Sequence, residues 1–161
     1  MSDPVAVGDL APDFTLADQR GEMIELRRFR GRTVILYFYP RDHTVVCTTQ
    51  ACEFRDSYEI FGQADAEIVG ISSDTSASHA KFAEQHGLPF TLVSDPGGLV
   101  RARYGVPRLL GLLPGRVTYV IDPQGVVRQI IRSAFSTNRH IREALHAARQ
   151  LRDNPPRDNT A

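Results

Sequence analysis

The two cysteines of this 161-residue chain lie five positions apart, in the segment PRDHTVVCTTQAC at residues 40–52. The segment follows an apolar run, residues 33–39, whose composition is typical of a strand buried on both faces. A thiol can serve as a nucleophile, a redox partner or a metal ligand. In a reducing compartment, two nearby cysteines are more often metal-binding, catalytic or redox-active than a structural cross-link.

The sequence after residue 44 predicts a helix from about Val45 to Gly62. Thr44 is placed at its N-cap, where the threonine hydroxyl would accept a hydrogen bond from the N–H of Cys47. Cys47 then lies in the first turn, where unpaired N–H groups and the helix dipole favour negative charge. This position favours the thiolate, which is the reactive form of cysteine.

The two cysteines are predicted to face different sides of this helix. Cys47 begins an apolar stripe that continues at steps of four and three residues through Ala51, Phe54, Tyr58 and Phe61. Cys52 lies about 140° around the helix, on a polar face. Their Cα atoms would be about 8.6 Å apart, whereas a disulfide needs less than about 7 Å. A Cys47–Cys52 disulfide would therefore require the first turns to unwind.

The rest of the chain predicts one α/β domain with a mixed sheet, because strands alternate with helices and a hairpin follows. Buried strands are predicted in TVILYFYP, EIVGISSD and FTLVSD, and hairpins in residues 14–26 and 116–133. Helices are predicted in SASHAKFAEQHG, GGLVRARYG and NRHIREALHAARQL, and a loop in LLGLLPG. Residues 1–152 are assigned to the domain, and the polar residues 153–161 to a flexible tail.

Composition argues against several classes of partner. Nineteen basic and nineteen acidic residues cancel, which leaves no electrostatic footprint for nucleic acid or an anionic membrane surface. The N-terminus lacks a secretory pattern, and no apolar run approaches the roughly 20 residues of a membrane helix. The expected location is therefore cytoplasmic.

Neither a metal nor another cofactor is expected. His43 and the two thiols would leave a structural tetrahedral site one ligand short. The other histidines, His79, His86, His140 and His146, are in polar helical surroundings and are predicted to be solvated. A single buried cysteine is also commonly inert packing, so position alone does not decide the role of Cys47.

The motif Pro40-x-x-x-Thr44-x-x-Cys47 resembles the active-site signature of the peroxiredoxins. YFYPRDHT followed by CTTQACEFRD is similar to the peroxiredoxin Q (bacterioferritin comigratory protein) branch, which has a second cysteine five residues after the first. APDFTL, VGISSD, LPFTLVSD and RVTYVID occur in the family's order, so the resemblance covers nearly the whole chain. It implies a thioredoxin-like fold with a mixed central sheet flanked by helices and an added N-terminal β-hairpin.

The resemblance also implies an activity, the reduction of hydrogen peroxide and organic hydroperoxides. Cys47 would be the peroxidatic cysteine, oxidised to a sulfenic acid, and Cys52 the resolving cysteine, as in atypical 2-Cys enzymes. Thr44 would hold the peroxide, Pro40 would shield the pocket, and Arg116 would lie beside the thiolate. Thioredoxin or a similar dithiol protein would reduce the disulfide, and an internal resolving cysteine favours a monomer.

Two positions depart from the branch pattern, and two other functions stay open. Val45 replaces a proline that would pre-set the first helical turn, and Gln50 replaces a glutamate that could pair with the arginine. On residue type alone, Arg116 could be a side chain snorkelling to the surface at a strand start. The alternatives are a thiol–disulfide oxidoreductase acting on proteins, which commonly has two residues between its cysteines, and a redox-sensing module without turnover.

Overall fold

The structure is a computed structural model that describes residues 4–106, 108–109 and 113–156. Its strands are β1 (Thr15–Ala17), β2 (Met23–Glu25), β3 (Thr33–Phe38), β4 (Ala66–Ser72), β5 (Thr91–Ser94), β6 (Arg108–Leu109), β7 (Leu113–Pro114), β8 (Val117–Ile121) and β9 (Val127–Arg132). Its α-helices are α1 (Val45–Asp56), α2 (Tyr58–Gln63), α3 (Ser76–His86), α4 (Leu99–Tyr104) and α5 (Thr137–Asp153). Short 3₁₀ helices span Leu26–Phe29 and Pro96–Gly98.

Five strands form the central sheet in the order β5-β4-β3-β8-β9. β4 runs parallel to β3 and β5, whereas β8 runs antiparallel to β3 and β9. All six residues of β3 are buried, as its continuous apolar sequence predicts for a strand covered on both faces. The mixed α/β sheet and the separate β1–β2 hairpin are therefore confirmed.

Two apolar clusters cover the two faces of the sheet. Ile35 and Tyr37 face a cluster that includes Cys47 and buried side chains of α1, α2, α3 and α5. Leu36 and Phe38 face the other cluster, which includes α4 and the N-terminal segment. Alternate residues of a strand point to opposite faces, so β3 contributes to both clusters. The cysteine helix α1 therefore lies on the same face of the sheet as α5.

The predicted helix from Val45 to Gly62 is interrupted. α1 ends at Asp56, Ser57 has non-helical backbone angles of φ −101° and ψ 2°, and α2 begins at the next residue. The apolar stripe continues across the break, because Phe54 and Phe61 are both fully buried. The buried stripe therefore extends over both helices.

Other boundaries follow the sequence closely. Gly87 ends α3 in the left-handed region at φ 59°, as a C-cap glycine does.

The predicted loop at residues 109–115 includes parts of a short antiparallel ribbon of β6 and β7, and its residues 110–112 lie outside the described structure. α5 extends to Asp153, and residues 157–161 of the predicted tail also lie outside the description. The domain boundary and the tail remain predictions.

No helix in the described part of the chain is both long enough and apolar enough to cross a bilayer.

Candidate active site

The cysteine helix begins at the carboxyl end of β3, after a short connection. Thr44 is its N-cap, with extended backbone angles of φ −81° and ψ 155°, and Cys47 is its third residue. The first N–H groups of a helix have no intrahelical acceptor, so they present partial positive charge near this thiol. The side chain of Cys47 is only 2 % exposed. The structure therefore confirms the predicted placement of Cys47 on the buried face of the first turn.

Arg116 reaches Cys47 from the neighbouring strand. It directly precedes β8, whose first residue, Val117, pairs with Phe38 at the end of β3. Because β8 is antiparallel to β3, its start lies at the sheet edge where α1 begins. Nη2 of Arg116 donates to Sγ of Cys47 at 3.3 Å, and Arg116 is only 5 % exposed. A buried cation in contact with the sulfur stabilises a thiolate.

The guanidinium of Arg116 is fixed by two further hydrogen bonds. Its Nε donates to the carbonyl of Ala134 at 3.1 Å, just after β9, and its Nη1 donates to Oε1 of Gln50 on α1. Gln50 is fully buried, and its Nε2 has no hydrogen-bond partner within the described residues. Arg116 therefore joins α1 to the ends of two strands, which restricts the geometry of its approach to the sulfur.

Tyr37 lies beneath this site, in the same apolar cluster as Cys47. Its ring stacks on Phe54 with a centroid separation of 4.6 Å. Its hydroxyl is buried and finds no partner among the residues described. Burial is the main cause that raises the pKa of Tyr37 well above its usual value, and the negative charge of a Cys47 thiolate would raise it further. The hydroxyl therefore stays protonated, and the floor of the site is uncharged and aromatic.

Thr44 does not make the predicted capping bond. Its hydroxyl donates to the carbonyl of Arg41 at 2.9 Å, and no side chain caps this end of α1 in the described structure. The expectation that Cys47 N–H bonds to this hydroxyl was therefore wrong, because the side chain turns back towards the preceding loop. Thr44 itself is exposed and Pro40 is half-buried.

Cys52 lies on the outer part of the same helix. It is half-buried, and both cysteines are free thiols. Asp56, one turn further on, is exposed, so the polar face was identified correctly, although Cys52 is less exposed than the pattern indicates. α1 is continuous through both cysteines, which is the reduced arrangement that the helical spacing requires.

The sequence missed two buried histidines close to this site. His79 and His140 were predicted to be solvated, yet both are fully buried. Nδ1 of His140 lies 2.7 Å from the hydroxyl of Thr118, and its Nε2 lies 2.8 Å from the carbonyl of Ser133. Burial lowers the pKa of His140. The available signal was helical spacing, because His140 precedes the buried Ala144 by four residues and His79 precedes the buried Phe82 by three.

Comparison with known proteins connects this geometry to a family. Residues 7–130 match the model of the AhpC/TSA family. The chain belongs to this family. It is 52 % identical over 148 residues to the chloroplastic peroxiredoxin Q of Oryza sativa subsp. japonica, covering 91 % of this chain and 68 % of the relative. With peroxiredoxin Q of Arabidopsis thaliana it shares 55 % identity over 139 residues, or 86 % and 64 % of the two chains.

Solved structures give the same assignment. Peroxidoxin BcpB of Mycobacterium tuberculosis superposes with a TM-score of 0.85 at 40 % identity, covering 91 % of this chain and 98 % of its own. Peroxiredoxin Q of Xanthomonas campestris gives 0.82 at 31 % identity, with 91 % and 98 % coverage. The resemblance to peroxiredoxin Q, the thioredoxin-like fold and the class of thiol-dependent peroxidase are thereby confirmed. The plant relatives are named chloroplastic, so they lend no support to a cytoplasmic location.

Proposed function

We propose that this peroxidase uses Cys47 as the peroxidatic cysteine, with Arg116, Thr44 and Pro40 completing the site. The observation that carries the proposal is the 3.3 Å contact between Arg116 Nη2 and the sulfur of Cys47. A buried thiol at a helix start, in contact with a buried cation, has the surroundings that favour a reactive thiolate. Within the described residues, the three nitrogens of this guanidinium donate to Cys47, Gln50 and Ala134, and none of these hydrogen bonds goes to Cys52.

The first step is a displacement on oxygen. The Cys47 thiolate attacks one oxygen of the hydroperoxide, an S–O bond forms, and the O–O bond breaks. The leaving oxygen departs as alkoxide or hydroxide and takes up a proton, while the sulfur becomes a sulfenic acid. Arg116 stabilises the negative charge as it moves from sulfur to the leaving oxygen.

Thr44 and Pro40 serve to hold and enclose the peroxide. The hydroxyl proton of Thr44 is directed to the carbonyl of Arg41, so the threonine oxygen is left to accept a hydrogen bond from the peroxide O–H. Pro40, half-buried between β3 and α1, limits the access of water to the sulfur. Hydrogen peroxide and organic hydroperoxides present the same reacting O–O group to these residues.

The second step forms a disulfide within the chain. The sulfur of Cys52 attacks the sulfenic sulfur of Cys47, the S–O bond breaks, and the oxygen leaves as water with the proton of the Cys52 thiol. The first turns of α1 unwind so that the two sulfurs can meet. A thioredoxin-type dithiol then reduces the disulfide by exchange and is itself oxidised. Because both cysteines belong to one chain, we propose that the monomer is sufficient for turnover.

Intact mass with thiol counting tests this assignment. The reduced chain is treated with one equivalent of hydrogen peroxide, alkylated and weighed. We expect the loss of two hydrogens and of both alkylation sites, which corresponds to a Cys47–Cys52 disulfide. Addition of oxygen at Cys47 with Cys52 still alkylatable would overturn the resolving role of Cys52.

A coupled assay separates the peroxidase from the other redox functions. With thioredoxin, thioredoxin reductase and NADPH, we expect catalytic loss of peroxide and no reduction of insulin. A single stoichiometric oxidation without recycling would contradict the proposed turnover and favour a sensing role. Light scattering on the active sample reports whether a monomer carries the activity.

A further inference from the structure

A buried polar cluster lies directly before the cysteine helix. Asp42, five residues before Cys47, is only 3 % exposed. Its Oδ1 accepts from the hydroxyl of Tyr39 at 2.6 Å. Its Oδ2 accepts from the hydroxyl of Ser78 at 2.8 Å and lies 2.7 Å from Nδ1 of His79. The connection between β3 and α1 is therefore joined to α3 through one carboxylate.

The surroundings of His79 determine where its protons lie. The ring is fully buried, and its Nε2 lies 3.1 Å from the carbonyl of Val93 on β5. A carbonyl can only accept, so Nε2 carries a proton, and Nδ1 faces the carboxylate of Asp42. Both ring nitrogens thus face acceptors, and the ring lies between a backbone carbonyl and a buried carboxylate.

The ionisation of Asp42 agrees with this arrangement. Burial by itself raises the pKa of the carboxyl, but the hydrogen bond and charge of His79 act in the opposite direction. The hydroxyls of Tyr39 and Ser78 add to the lowering, and the pKa of Asp42 falls below its usual value. Removing either partner from such a buried pair leaves an uncompensated charge, which is strongly destabilising.

The backbone of the same connection is held as well. The N–H of Asp42 donates to Oδ2 of Asp74 at 2.7 Å, and that oxygen also accepts from the hydroxyl of Ser72 at 2.7 Å. The next residue, His43, has φ 65°, a left-handed conformation that is uncommon outside glycine. The chain therefore turns sharply between the point held at Asp42 and the start of α1.

Three side chains of this cluster also lie close enough together to hold a cation. One ligand atom from each of Asp42, Asp74 and His79 lies within 4.8 Å of the others. The carboxylate oxygens, however, already accept hydrogen bonds from N–H and hydroxyl donors. Both nitrogens of His79 are directed at acceptors. The donor set is therefore used within the protein, which favours a structural link over a metal site.

The residues that follow Cys52 are held by contacts with α5 and α3. Glu53 accepts from the hydroxyl of Thr137 on α5 at 3.1 Å, and Phe54 is fully buried. Arg55 donates to the carbonyl of His86, at the end of α3, at 2.7 Å. Residues 43–52, which include both cysteines, lie between Asp42 and these contacts.

We propose that Asp42 and His79 are positioning residues, whose ion pair keeps residues 40–43 in place while residues 44–52 unwind and rewind in each catalytic cycle. The inference rests on the proposed function, because it requires the Cys47–Cys52 disulfide. Its consequence is that Cys47 returns to the same position beside Arg116 after every reduction. Without the pair, the start of α1 is free to move. The Cys47 sulfur then spends less time beside Arg116, in the position from which it attacks the peroxide.

Residue-resolved amide exchange in the two redox states tests the boundary. In the wild-type disulfide form, we expect the hydrogen-bonded amides of residues 48–52 to exchange at least tenfold faster than in the reduced form, while the amide of Asp42, which donates to Asp74, keeps its protection. In His79→Gln, we expect the amide of Asp42 to lose protection by at least tenfold in the disulfide form. His146→Gln, at an exposed position on α5, is the matched control and should behave as wild type.

Kinetics separate a positioning role from a contribution to stability alone. The first-turnover rate of reduced His79→Gln with hydrogen peroxide should fall at least tenfold, with an unchanged KM for thioredoxin. The double variant Asp42→Asn/His79→Gln removes the unpaired charge, so its Tm should recover while the rate stays low. Recovery of both the rate and the Tm would show that the pair acts only through stability and would overturn the proposal.

Two further outcomes would overturn it, and they are distinguishable. A ¹⁵N spectrum showing an unprotonated ring nitrogen on His79 at neutral pH would remove the ion pair. A wild-type chain that forms the disulfide but loses protection at the amide of Asp42 would refute this inference alone. Failure of the wild-type chain to form the disulfide would instead refute the proposed function and this role together.

Discussion

Cys47 and Cys52 share one helix and one side-chain type, yet their surroundings differ. Cys47 is 2 % exposed, lies in the first turn and receives a hydrogen bond from Arg116. Cys52 is half-buried, about 1.4 turns further on, and the hydrogen bonds described for the guanidinium go to Cys47, Gln50 and Ala134. The comparison teaches that the reactivity of a thiol here depends on its place in the helix and on a neighbouring strand.

The same comparison explains why a conformational step is needed. The helix that gives Cys47 its first-turn environment also holds Cys52 too far away for a disulfide. The arrangement that suits the attack on peroxide therefore prevents resolution. In the proposed cycle, unwinding of residues 44–52 exchanges one arrangement for the other, and the contacts at Asp42 and Glu53 are proposed to limit how far the change extends.

The largest expected effect comes from removing the nucleophile. We predict that Cys47→Ser lowers the rate of peroxide reduction by on the order of 10⁴-fold or more, to background, because a serine hydroxyl is not ionised at neutral pH. The measurement is the first-turnover rate with hydrogen peroxide, and the folded state is checked by circular dichroism. Retention of a peroxide rate that responds to thiol alkylation would assign the nucleophile to Cys52 and reverse the comparison.

Cys52→Ser should separate the two roles. We predict a normal first turnover, because the Cys47 site is intact, followed by loss of thioredoxin-driven cycling. Stopped-flow kinetics measure the first step, and NADPH consumption measures the cycle. Full steady-state activity in this variant would mean that a thiol from another chain or from solution resolves the sulfenic acid.

Arg116→Lys tests the contact that distinguishes the two thiols. An ammonium is a point charge and cannot reproduce the three hydrogen bonds of the planar guanidinium. We predict a decrease of about 10²–10³-fold in the first-turnover rate, the range expected for loss of a preorganised donor. Arg142→Lys, at an exposed position on α5, is the matched control, and equal rates for the two variants would contradict the role of Arg116.

The smallest predicted effect concerns the start of the helix. Thr44 already has the extended conformation that a following proline requires, and position 45 is the first helical residue. Val45→Pro should therefore stabilise the reduced protein by about 0.5–1 kcal/mol. It should slow disulfide formation by about two- to fivefold, because the stabilised turn has to unwind. Thermal unfolding and the rate of disulfide formation give the two measurements, and faster disulfide formation would refute this reasoning.

The sequence by itself predicted the main elements and the position of Cys47 on its helix. Continuous apolar residues identified β3 as a strand buried on both faces, and Gly87 marked the end of α3. Steps of three and four residues placed Cys47 on the buried face of α1 and Cys52 on the outer face. These features follow from the periods of helices and strands, which depend only on residues that are close in the chain.

Tertiary structure decided the contacts between residues that are far apart in the chain. The resemblance to the family indicated Arg116, but only the antiparallel pairing of β8 with β3 brings it to Cys47, 69 residues away. The partners of His79 lie on β5 and before α1, so its helical spacing could indicate burial but not these hydrogen bonds. The choice of the Thr44 hydroxyl between the helix N–H groups and the Arg41 carbonyl likewise depends on the path of the preceding loop. Local periodicity fixes which way a side chain points, whereas its partners depend on how the sheet brings distant segments together.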